Sequence, residues 1–358
     1  MKRFLAFPLL LCCILHGAEL KFYLDGDARN APDVKKFSSS IRQAPGSFGK
    51  ALLIERRTVN FFIPDEVVLT GGAELKGKDN RLTMPAGSVA ALPLTAIRPK
   101  SVNTLSFRFK GEGKITVTFN RREIASFEAG PEYRKAEVAV IPEDDAGTLR
   151  IRAEKAAELD NVMFDKGIGY ANTYHAPGQM RNVDVIEANA SVYSPDAGAI
   201  SCRLKAPWLR RDAKYANAIA LCAVQSASGK GTRSLYISVW ENKLHLEVPG
   251  VGRKSLSCTC MLRELPESGD GWYHFVFNWE RKDRNMELAV IVNGEKVFSK
   301  SGISDTKPAY DVFSIGYVNG AYLNGLLDDF GLFSAPLSLE EAKRIHRSKR
   351  PLTELFPR

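Results

Sequence analysis

From Leu20 onward the apolar residues of this chain return at every second position, and that period limits what it can fold into. Leu105, Phe107 and Phe109 alternate with Ser106, Arg108 and Lys110; Ile115, Val117 and Phe119 alternate with Thr116, Thr118 and Asn120. Successive side chains of a strand point to opposite faces, so each such segment puts one face in a core and the other in water. Leu149 and Ile151 against Arg150 and Arg152 repeat the pattern. So do Ile200, Cys202 and Leu204 against Ser201, Arg203 and Lys205, and Leu235, Ile237 and Val239 against Tyr236, Ser238 and Trp240. No segment before the last few dozen residues sustains a 3.6-residue period, so the fold is expected to be all-β. Short strands with Gly- and Pro-bearing turns stack as sandwiches.

Turn chemistry divides the strands. Glu112-Gly113 separates the first pair, Glu241-Asn242 precedes Leu244, Leu246 and Val248, and Asn293-Gly294 follows the apolar run Leu288 to Val292, where a type I′ hairpin turn needs positive φ. Residues 167–182 lose alternation and gain Gly, Asn, Pro and Tyr, which marks a linker between a first unit at 19–166 and a second at 183–350. One helix is expected near the end, where Ser338 and Glu341 form a capping box ahead of Ala342 and Ile345; residues 351–358 then form a tail.

Lys2 and Arg3, the apolar run Phe4 to Leu15, and Gly17-Ala18 read as a secretory signal over residues 1–18. The run is shorter than the roughly 20 residues a spanning helix needs, and no second span follows, so the mature chain is expected in the periplasm, outside the cell or at its surface. Removing the two basic residues from a net charge of +9 leaves +7. The pairs Arg56-Arg57, Arg121-Arg122 and Arg210-Arg211 are not interleaved with glycines and aromatics, and nucleic acid is not an expected partner. Four cysteines follow the signal: Cys202, Cys222, Cys258 and Cys260. Two states suit an oxidising compartment, a Cys202 to Cys222 bridge or buried free thiols.

Gly271-Trp272-Tyr273-His274-Phe275-Val276, the hairpin Ile291-Val292-Asn293-Gly294, Phe313-Ser314-Ile315-Gly316, Gly325-Leu326-Leu327-Asp328-Asp329-Phe330 and Leu337-Ser338 occur in an order that resembles the laminin-G-like, concanavalin A-like jelly roll of many secreted bacterial proteins. The resemblance spans roughly 183–350 and implies a two-sheet jelly roll in which the aspartate after Gly-Leu-Leu pins a neighbouring loop. Residues 71–165, ending Glu158-Leu159-Asp160-Asn161-Val162-Met163-Phe164, resemble the galactose-binding-like jelly roll of carbohydrate-binding modules. Phe22-Tyr23-Leu24-Asp25-Gly26 and Gly46-Ser47-Phe48-Gly49-Lys50-Ala51-Leu52 instead resemble the opening of a laminin-G-like unit, which allows the N-terminal segment to pack on the C-terminal sandwich.

Concanavalin A-like relatives include glycoside hydrolases with alternating acids on one strand, but no Glu-x-Asp-x-Glu occurs here. Glu241 and Glu247 flank a turn, and Glu280, Asp283 and Glu287 lie across a polar loop, as solvated surface acids do. There is no Gly-x-Ser-x-Gly elbow, and among the five histidines His274 lies on a motif strand and reads as structural. Binding is the function expected, because sugars stack on aromatic rings and hydrogen-bond to polar side chains. Three groups are candidates: Tyr236 and Trp240 on one strand; Trp208, Arg210, Arg211 and Tyr215 in a loop; Tyr317, Asn319, Tyr322 and Asn324 between the last strands. The laminin-G resemblance adds calcium, with Asp305, Asp311 and Asp328 as its candidate ligands. The alternatives are a polysaccharide hydrolase or lyase with an unrecognised site, and a structural module contacting envelope proteins.

Overall fold

The computed structural model describes residues 18–26, 33–55, 58–76, 80–97, 99–167, 174–181, 183–209, 219–226, 233–250, 255–304 and 310–357. The leader up to residue 17, residues 168–173 and 182 of the expected linker, and Arg56, Arg57, Arg210, Arg211, Tyr215 and Asp305 lie outside the described residues.

The chain is all-β, and its strands build two sandwiches. In the larger one, an eight-stranded sheet runs Glu295–Ile303, Asn285–Val292, Tyr273–Lys282, Ala197–Lys205, Gly325–Phe333, Lys50–Ile54 and Arg42–Pro45, with Leu20–Leu24 also paired to Gly325–Phe333. The facing sheet runs Val34–Phe37, Ile186–Asn189, Val312–Ile315, Ile219–Gln225, Leu235–Trp240, Lys243–Pro249 and Ser255–Met261. Alternation sends Phe275, Phe277 and Trp279 from one sheet and Ile237, Leu246 and Phe313 from the other into a shared core. Each large apolar side chain buried there contributes about 1.5–3 kcal/mol. Phe22 meets Phe313 and Phe330 edge-on, both at 6.2 Å, which ties the N-terminal strand into this core.

The four cysteines are buried free thiols, so the bridge weighed for Cys202 and Cys222 is not formed. They come from facing sheets in a desolvated interior, where burial pushes both thiols up and disfavours the thiolate that disulfide chemistry needs. Burial likewise pushes Cys258 up to about 12 and Cys260 up to about 11.

The smaller sandwich occupies residues 60–165. One sheet runs Arg134–Val140, Asn103–Gly111, Ala157–Asp165, Arg81–Met84 and Glu74–Lys76; the other runs Arg122–Glu128, Lys114–Phe119, Gly147–Ala153, Val89–Leu94 and Val68–Thr70. Leu105, Phe107, Phe109, Ile115, Val117, Leu149 and Ile151 fill its core. Glu112-Gly113 is a corner rather than a hairpin, because Asn103–Gly111 and Lys114–Phe119 belong to different sheets. Gly111 makes it possible: its φ is 138°, and a Cβ there would lie 2.5 Å from the Ala156 carbonyl oxygen.

Grouping residues 19–166 as one unit therefore gives way to an insertion. The strands before Glu55 belong to the large sandwich, whose chain resumes after Asp184, and the small sandwich sits between them. The outgoing and returning segments pair as Thr58–Val59 with Met180–Arg181. Below that ribbon Arg181 donates to Glu55 at 2.7 Å and to both Asp184 oxygens at 3.1 and 3.2 Å, while the Glu55 amide donates to Asp184 at 2.8 Å. Ser40 also donates to Asp184, and Glu55, Arg181 and Asp184 are all buried.

The capping box forms as expected: Ser338 accepts from the Glu341 amide at 3.2 Å and its own amide donates to Glu341 at 2.8 Å. Helix Leu339–Arg347 lays Ala342 and Ile345 over Val276 and Ile291 on the outer face of the eight-stranded sheet. Arg203 donates to the Ile345 carbonyl at 2.9 Å at the helix's far end. Residues 351–357 of the expected tail are not free, since Leu352–Leu355 forms a further helical turn and Phe356 packs on Phe333 at 5.0 Å.

Candidate functional site

The outer face of the seven-stranded sheet collects the polar and aromatic side chains that alternation turns away from the core. On Leu235–Trp240 these are Tyr236, Ser238 and Trp240, and the register sets Glu247 opposite Tyr236 and His245 opposite Ser238. The next strand places Ser257 beside Glu247 and Thr259 beside His245. His245 and Glu247 approach at 3.7 Å. Tyr236 is half-buried beneath the Arg233 guanidinium, 4.1 Å above its ring. Burial raises its phenol pKa, and the Arg233 charge opposes that rise.

A small hairpin of Tyr317–Val318 and Ala321–Tyr322 closes one side of this face. Asn319 and Gly320 make its turn with φ of 45° and 86°, the left-handed pair of a type I′ hairpin. Val318 and Ala321 pack on Ala220 and Ala223 with Tyr236 alongside, and the rings of Tyr317 and Tyr322 lie 5.4 Å apart. Trp240 stands four residues along the strand from Tyr236, about 13 Å away at ~3.3 Å per residue. Its side chain is 49% exposed.

The structure thus sets the hairpin against Tyr236 through Val318 and Ala321, leaves Tyr317 and Tyr322 paired on the hairpin's other side, and keeps Trp240 on the strand of Tyr236. It separates two others. Trp208 is buried and donates its indole N–H to the Leu323 carbonyl at 2.7 Å, which makes it a core anchor rather than a ligand platform. Asn324 is buried behind the hairpin. Arg233, His245, Glu247, Ser257 and Thr259 join the face without having been singled out as ligands. Alternation places the four strand residues on an outer face and the pairing register makes them neighbours, while Arg233 joins them through its contact over Tyr236.

Of the calcium candidates, Asp311 is exposed and its amide donates to Gln225 at 3.0 Å. Asp328 is buried and accepts from the Ser47 and Phe48 amides at 2.7 and 2.9 Å, the loop-pinning role its motif implies. Burial raises its pKa against those hydrogen bonds. Among the described residues no three acidic, His or Cys side chains are grouped to hold a metal.

Glu280 and Glu287 face each other across a hairpin, not across a loop. Glu287 is exposed and Glu280 partly so; they share Lys282 at 2.9 and 3.3 Å, and they line a pocket of about 350 Å³. His274 is buried with Nε2 2.9 Å from the Ser201 hydroxyl, and its ring stacks on His346 at 6.0 Å. Burial, reinforced by Arg203 and His346, holds its pKa well below 6.5.

A family model for the concanavalin A-like lectin and glucanase superfamily matches residues 206–343, the part of the large sandwich that carries the Trp240 face. No curated protein matches the chain. Among solved structures, the botulinum neurotoxin type G receptor-binding domain superposes with 16% identity and a TM-score of 0.36, over 47% of this chain and 40% of that one. The botulinum neurotoxin serotype D binding domain gives 19% and 0.33, over 46% and 40%. This chain thus spans about two fifths of either structure. No described helix is long and apolar enough to cross a membrane.

Proposed function

We propose that this chain is an exported, non-catalytic carbohydrate-binding protein that holds a glycan on the outer face of its seven-stranded sheet. The observation that carries this reading is Trp240, half exposed on a face that also presents the partly exposed Thr259, His245 and Glu247. An indole offers an apolar plane for a sugar ring, and the Thr259 hydroxyl, imidazole and carboxylate on that face can satisfy the sugar's own hydroxyls. The superfamily match over residues 206–343 supports the same ligand class. A binding role without chemistry is favoured by His274 lying in the interior and by Lys282 bridging the solvent-facing Glu280 and Glu287 pair. Export rests on Lys2, Arg3 and the apolar run that follows.

The test is retention of the full chain by a panel of neutral and acidic polysaccharides, repeated with Trp240→Ala. Truncating a central aromatic contact commonly costs about 2 kcal/mol or more, so binding should weaken by roughly 30-fold with the fold unchanged. An empty panel, or equal binding by the variant, defeats the proposal. Release of reducing ends from a retained polymer would replace it with a polysaccharide-active enzyme.

A further inference from the structure

We propose that the inserted sandwich carries a second, separate site: a basic groove for a polyuronate, a polysaccharide with carboxylates on its sugars. The groove lies on the outer face of the sheet containing Lys114–Phe119 and Gly147–Ala153, and encloses about 720 Å³. The alternation that buries Leu149 and Ile151 turns Arg150 and Arg152 outward. Cross-strand register then sets Thr118 opposite Arg150 and Thr116 opposite Arg152. Arg121 reaches in from a hairpin turn whose φ values, 47° at Asn120 and 70° at Arg121, are both left-handed.

Charge decides what this groove can take. Lys114 is engaged by Glu123 at 3.6 Å, whereas Arg121, Arg150 and Arg152 have no ion pair among the described residues. Arg150 and Arg152 are alternate residues of one strand whose backbones are about 6.6 Å apart, so they present successive forks on one face. A guanidinium fork matches a carboxylate bidentately, and an unpaired one gains most from such a partner. No aromatic ring lines the groove, so it lacks the platform on which a neutral sugar stacks. Glu123 and Glu154 in the same lining select further. They accept hydrogen bonds from sugar hydroxyls, but repel a densely sulfated chain or a phosphate backbone. A polyuronate, with hydroxyls between its carboxylates, fits this mixture of charges. The inference does not rest on the Trp240 face, which lies on the other sandwich.

The test is affinity electrophoresis of the full chain through gels containing polygalacturonate, heparin or dextran, with duplex DNA as a soluble competitor. Polygalacturonate should slow the native chain, and Arg150→Ser with Arg152→Ser should weaken that retention by about tenfold or more. Trp240→Ala should leave it unchanged, which separates this site from the sugar-binding face. Both arginines project outward, so the double variant should keep the native melting temperature; Arg121→Ser provides an independent second variant. Replacing both arginines by lysine keeps the charge but removes the forks, and should retain only part of the binding. Four results would each overturn the proposal: no retention by polygalacturonate, retention indifferent to the arginines, full retention with lysines, or tighter binding to heparin or DNA at equal charge.

Discussion

Asp329 is a carboxylate held where its protonated form is favoured. It is 1% exposed, accepts from the Leu352 amide at 2.7 Å, and burial raises its pKa to about 6 against the pull of that bond, of Tyr23 and of Arg203. The native state therefore keeps a proton that the unfolded chain, with a carboxyl pKa of about 3.9, has released. Its contribution to stability is fully present below about pH 4 and is lost as pH rises through about 6. His274 acts in the opposite sense: its depressed pKa supplies stability above about 6.5 that is lost as pH falls towards the folded value. Asp329→Asn leaves the histidine in place and removes the first effect. Urea denaturation at pH 4.5 and 7.5 should show the native chain losing on the order of 2 kcal/mol relative to the variant as pH rises. Equal differences at both values would contradict the assignment. At this scale the sequence reveals which side chains face out, as with Tyr236 and Trp240, but not which outward face remains uncovered. Trp208 lies in a loop-like segment yet ends in the core, because its N–H finds a buried carbonyl that no local pattern announces.

Hairpins are the elements most legible in advance. Asn293-Gly294 forms its turn with φ of 51° and 80°, and Glu241-Asn242 does the same with 50° and 61°. The corner at Glu112-Gly113 was not legible, because an alternating strand declares its inward side and not its partner. A hairpin and a crossing between sheets share that pattern; the difference lies in Gly111, whose backbone no residue with a Cβ adopts without strain. Gly111→Ala should cost about 1–3 kcal/mol by thermal denaturation, and a neutral result would show that the corner has room to shift. The capping box was readable because its partners are three residues apart. Ser338→Ala should lower stability by about 1 kcal/mol, and unchanged denaturation would mean that packing of Ala342 and Ile345 alone fixes the helix.

Across the whole molecule, the insertion was only half visible. Composition marks residues 167–182 as a departure from strand, and the motifs around Phe22 and Gly46 hint at a laminin-G-like opening. Nothing local joins Glu55 to Asp184, 129 positions apart, until Arg181 brings their carboxylates together. Breaking a buried ion pair leaves an uncompensated charge, so Arg181→Ala should destabilise by about 3–5 kcal/mol. The loss should appear as weaker cooperativity between the two sandwiches in calorimetry; a single transition at the native temperature would refute that role for the junction.

The strand Gly325–Phe333 pairs with Leu20–Leu24 and with Lys50–Ile54, so the pairing of both early segments with it waits until roughly 270 further residues have been made. The guest unit needs nothing beyond Asp165 to complete its sheets. Synthesis from the N-terminus therefore releases a finished inner body while its host still lacks a central rib, and Leu20–Leu24 must stay without its sheet partner long after the guest is complete.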